Sequence, residues 1–159
     1  MIETRRPMAF WFIFICIAIS VVLFLVGQTL GVFDYELAVR LGFQESEAQV
    51  GPHGVQVNRA FGVGDTLVCI PLLIATLVGL WQRRRWALQT AAAIAGISVY
   101  WTTVVFSMLV FLPGTPGYQY APPPGIWLFT GTYLIFGIGS LIVLIMRGEI
   151  LIQTGGTST

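Results

Sequence analysis

Asp65 is the residue on which the chemistry of this chain turns. It stands in NRAFGVGDTLVCIP, Asn58 to Pro71, as the one carboxylate set into an apolar stretch long enough to cross a bilayer. An ionisable side chain at membrane depth is expensive and by default marks a functional site with a partner to be named. Arg59, six residues earlier, is the candidate partner, and Tyr100 and Tyr133 can donate hydrogen bonds. Thr103 and Ser107 add hydroxyls at similar depth. Arg59, Asp65, Tyr100, Thr103, Ser107 and Tyr133 make up the expected ligand pocket. A competing reading needs no ligand. Gly62-Val63-Gly64 can interrupt the helix, so that Asp65 caps a new one starting at Thr66, its carboxylate at the positive dipole end. Pro71, six residues further on, cannot donate to the Leu67 carbonyl, which predicts a kink.

Other reactive residue types are sparse. His53 is the single histidine, and Asp34, Glu45 and Glu47 show no ligand spacing around it, so no metal site is expected. Cys16 and Cys69 lie about 12 Å and about 10 Å in from opposite faces at roughly 1.5 Å per residue. That separation rules out a disulfide, and both read as small apolar fillers. Arg83-Arg84-Arg85 reads as a topology anchor or as a contact for anionic lipid head groups. Walker loops, dinucleotide glycine patterns, H-E-x-x-H and the serine nucleophile elbow are all missing, and no cofactor is implied. Nucleic acid has no basic surface to bind.

The elements that must position these residues follow from composition. The chain has 159 residues, 56% of them hydrophobic and 9% charged, with mean hydropathy +0.83. Soluble domains carry roughly 25% charged residues, so this is a membrane protein of a single domain. The fold class expected is an all-α integral membrane protein, a four-transmembrane-helix up-down bundle. Spans of about 20 residues are needed, and four apolar stretches qualify: about 8–30, 61–81, 86–112 and 125–146. Arg5 and Arg6 precede the first, but its uncharged run is too long for the core of a cleaved signal, so the helix is retained. Between the last two lies PGTPGYQYAPPPG, whose five prolines and three glycines cannot continue a helix.

All eight basic residues are arginine. Arg5, Arg6, Arg83, Arg84, Arg85 and Arg147 fall at one face and only Arg40 and Arg59 at the other. The positive-inside rule then places both termini in the cytoplasm, in a plasma membrane of the bacterial inner type. The outer loops are 31–60 and 113–124, and the cytoplasmic loop is 82–85. Asp34 to Phe43 in the first outer loop predicts a short amphipathic helix with Asp34 as N-cap, lying on the membrane. Gly51-Pro52-His53-Gly54 predicts a turn. Small residues four apart, Ala75 with Gly79 and Ala92 with Gly96, mark expected close helix approaches.

Polar residues crowd the outer half of the spans: Gln28, Thr29, Asp65, Thr66, Tyr100 to Thr103, Ser107, Thr130, Thr132 and Tyr133. Buried polar groups need partners, so these should face one another around an outward pocket capped by both outer loops. Alternatively each hydroxyl bonds back to its own helix. The first functional expectation is a non-enzymatic binding or accessory subunit holding a lipid or small molecule. A membrane-embedded enzyme with Asp65 as acid or base is the second, and a subunit of an oligomeric small transporter the third. The expected partners are the bilayer, such a ligand, and further copies of the chain or a larger membrane complex.

Overall fold

A computed structural model describes residues 6–152. Four helices in it are long and apolar enough to cross a membrane: α1 (Met8–Phe33), α3 (Glu47–Trp81), α4 (Trp86–Phe111) and α5 (Pro124–Arg147). A short helix, α2 (Tyr35–Arg40), sits between the first two. No strand occurs among the described residues. Arg5, which the charge asymmetry counts, lies outside them.

Two of the long helices are not regular. Leu25–Thr29 in α1 and Asp65–Cys69 in α3 each widen into a π turn, with Leu30 N–H donating to the Leu25 carbonyl and Ile70 N–H to that of Asp65. The second has a cause in the sequence. Pro71 offers no N–H, its ring crowds the carbonyl four residues back, and one wide turn just ahead of it absorbs both defects. The two π turns touch, and Thr29 Oγ1 lies 2.9 Å from Thr66 Oγ1 across them. Gly62 permits this approach, since a Cβ there would stand 2.9 Å from the Gln28 carbonyl oxygen.

The helix containing Asp65 therefore runs on through it. The expected second span at 61–81 starts much earlier. Gly51, at φ 72° and ψ 168°, makes the only sharp break, and Pro52 to Gly64 is already helical. Most of the anticipated 51–54 turn is thus the first turn of a helix, where proline fits because its missing N–H has no helical role. Asp65 is inside a continuous helix and caps nothing. Ser46 and Gln49 form a capping box for the preceding turn.

The core lies between the helices towards the arginine end, where Phe10, Ile13 and Ile17 of α1 meet Leu73 and Leu80 of α3, Ala87 and Ile94 of α4, and Phe136 of α5. At that end Arg6 donates to the Leu80 and Trp81 carbonyls at 3.2 and 2.7 Å, capping the C-terminus of α3. Its guanidinium also lies over the rings of Phe10 and Trp81. The most extensive packing is α4 on α5, where a Cβ on Gly137 would press the Ala95 carbonyl at 3.2 Å. Gly79 is a close approach as expected, against Trp86 and Ala87, but Gly96 faces open space.

Candidate functional site

The opposite end, with the two long loops, encloses a cavity of about 260 Å³. Its walls are Leu23, Phe24 and Gln28 of α1, Asn58 and Phe61 of α3, Trp101 to Met108 along one face of α4, and Phe129, Thr130 and Tyr133 of α5. Phe43, Gln44 and Glu45 close it from the first loop, and Tyr118 and Tyr120 from the proline-rich one.

Local chemistry explains why both loops fold over it. Asp34 caps α2 by accepting from Leu37 N–H at 2.9 Å, and Gly42 at φ 78° ends that helix, with Phe43 N–H returning to the Ala38 carbonyl. The chain so reversed carries Gln44 back to α1, where its Nε2 donates to the Gly27 carbonyl at 3.0 Å. Helix α2 folds onto the end of α1 with Ala38 fully buried. The proline-rich loop turns through Gly114 and Gly117, both at positive φ, and Gln119 N–H donates to the Gln49 carbonyl at 2.6 Å.

A polar group stands at the mouth. Asn58 Nδ2 donates both to Glu45 Oε2 at 2.9 Å and to the Tyr35 hydroxyl at 3.0 Å, and that hydroxyl donates to the Glu45 carbonyl at 2.9 Å. Burial pushes the Tyr35 phenol above its ordinary pKa, the Asn58 hydrogen bond opposes this, and the Glu45 charge adds to it. Burial first and Glu45 second likewise raise the phenols of Tyr118 and Tyr120. Glu45 itself pairs with no arginine or histidine among the described residues.

The six expected pocket residues do not come together. Tyr133 lines the cavity, and its hydroxyl donates to Ser20 Oγ at 3.0 Å across to α1. Arg59 points away, exposed, and donates to the Val32 carbonyl at 3.1 Å instead of meeting Asp65. Tyr100, 71% exposed, lies with Thr103 and Ser107 on the outward face of α4, along a shallow apolar groove. Asp65 is 6% exposed, with Oδ2 unpartnered and the Cys69 thiol as hydrogen-bonding neighbour, and it is no part of the cavity wall. Arg84 and Arg85 are exposed in the turn between α3 and α4, with Arg83 at φ 57°.

Most span hydroxyls took the self-contained option. Ser98, Thr102, Thr103, Ser107 and Thr132 each donate to the carbonyl four residues back. The Thr29–Thr66 and Tyr133–Ser20 contacts do join hydroxyls of different helices. The polar cavity residues that sequence reasoning missed are Gln44 and Glu45 in the first loop and Asn58 within α3. For the first two the signal is the Ser46–Gln49 capping box, which fixes where the loop ends. Comparison with protein-family models, with curated proteins and with solved structures found no match to this chain.

Proposed function

We propose that this chain is a multi-pass membrane protein, a four-span up-down bundle with cytoplasmic termini, whose outward-facing cavity binds the apolar part of a small amphipathic molecule. The arginine asymmetry supports the orientation. Large apolar side chains exposed along all four long helices, among them Phe12, Ile19, Leu67, Val110 and Ile145, support a lipid environment. The reading is carried by the cavity, which aromatic and aliphatic side chains enclose and a few polar groups rim. Binding sites generally combine those features, and about 260 Å³ lies just under the roughly 300–1,000 Å³ of drug-sized pockets. The ligand is therefore small or short-chained.

Among the described residues no nucleophile–base pair lines this cavity, which favours a binding role, as a free-standing protein or as an accessory subunit in an oligomer or larger complex. Asp65 as acid or base would require a substrate at a buried position that is not part of the cavity wall. The test is native mass spectrometry of the gently solubilised protein beside Val105→Phe, which fills the cavity from α4. A bound molecule present in the wild type and lost in the variant supports the reading. A bare wild-type protein overturns it.

A further inference from the structure

The mouth of the cavity carries one carboxylate, Glu45. Glu45 receives one hydrogen bond from Asn58, which brings no charge, and no arginine or histidine pairs with it among the described residues. A half-buried carboxylate left without a countercharge is costly, and a cation that reaches it recovers that cost. Among the described residues the cavity lining carries no arginine, lysine or histidine, so an anionic head group would meet Glu45 with nothing there to neutralise it. Tyr118 and Tyr120 stand edge-to-face at 6.3 Å between ring centroids, inside the field of the same carboxylate. Aromatic faces beside a carboxylate are the usual lodging of an ammonium group.

Resting on the binding role argued above, we propose that the ligand is a short-chain cationic amphiphile. Its ammonium head sits between the Glu45 carboxylate and the Tyr118 and Tyr120 rings, and its hydrocarbon part lies among Phe24, Met108 and Phe129. Asn58 is a positioning residue that holds the carboxylate at the mouth.

The test uses the full chain in a non-ionic detergent with three tritiated probes of equal tail: decyltrimethylammonium, neutral decyldimethylphosphine oxide and anionic decyl sulfonate. The cation should bind saturably, about tenfold tighter than the neutral probe, and the sulfonate should not bind. Glu45→Gln should lower cation affinity about tenfold without weakening the neutral probe, so that the cation's preference over it is lost. Tyr120→Leu, which leaves the Asn58–Glu45 bond in place, should weaken the cation three- to tenfold, so a folding failure of one variant does not decide the matter. Equal binding of cation and neutral probe, both lost in Val105→Phe, would overturn charge selection while the cavity role stands. Saturable binding of none of the three overturns both.

Discussion

Gln119 N–H meets the Gln49 carbonyl at 2.6 Å, and through this one backbone bond the proline-rich loop is tied to the capping turn ahead of α3. Two residues along, Gly51 presses the same loop: a Cβ on it would stand 3.0 Å from the Gly117 carbonyl oxygen. Its φ of 72° and ψ of 168° are a conformation essentially confined to glycine. Gly51→Ala should therefore lower stability by about 1–3 kcal/mol and lift the loop from the cavity. Thermal unfolding in detergent, with faster proteolysis near Gly117, would check it. An unchanged melting point and cleavage pattern would contradict the geometry.

Helix packing makes a paired prediction. Gly62→Ala brings a methyl to 2.9 Å from the Gln28 carbonyl, which as backbone cannot step aside, and should cost about 1–3 kcal/mol. Gly96→Ala meets nothing within 4 Å and should stabilise α4 by roughly 0.5–1 kcal/mol through backbone entropy. Melting of both variants beside the wild type reads the difference. Opposite signs are expected.

Asp65 and Arg59 should be energetically independent. Arg59 is exposed on Val32, while Asp65 is buried with one oxygen unpartnered. A double-mutant cycle of Arg59→Gln and Asp65→Asn should give a coupling below about 0.5 kcal/mol, as for sites that share no partner. Asp65→Asn alone, near in shape, should shift stability by no more than about 1 kcal/mol. A larger coupling would mean that the two side chains meet.

The loop end should loosen in alkali. Tyr35, Tyr118 and Tyr120 all titrate above their ordinary value of 10.0, mainly because burial disfavours the phenolate. A raised pKa in the folded state means that their contribution is fully present below about pH 10 and is lost as pH climbs through the folded values. Tyrosinate absorbance against pH should show these three ionising later than free tyrosine. Titration of all tyrosines together at pH 10 would refute the burial of the mouth.

Composition alone determined that four helices of this chain are long and apolar enough to cross a membrane, because each must satisfy its own backbone and needs about 20 apolar residues. Local chemistry was legible as well: Asp34 as a cap and the prolines that end α4 and start α5 act on neighbours within a few positions. What only the tertiary structure decided was which polar groups meet. Along an apolar helix every face is hydrophobic, so periodicity does not say whether Tyr100 or Trp101 turns inward; contact with α1 and α5 chose Trp101. Asp65 looked like a cap because glycines precede it, yet the close passage of Gly62 over Gln28 kept those residues helical. Glu45 and Asn58, 13 residues apart, meet across the break at Gly51, which lies between them in the chain. Hydrogen bonds between distant segments are set by how helices cross, and crossing is a property of packed surfaces, not of any single stretch.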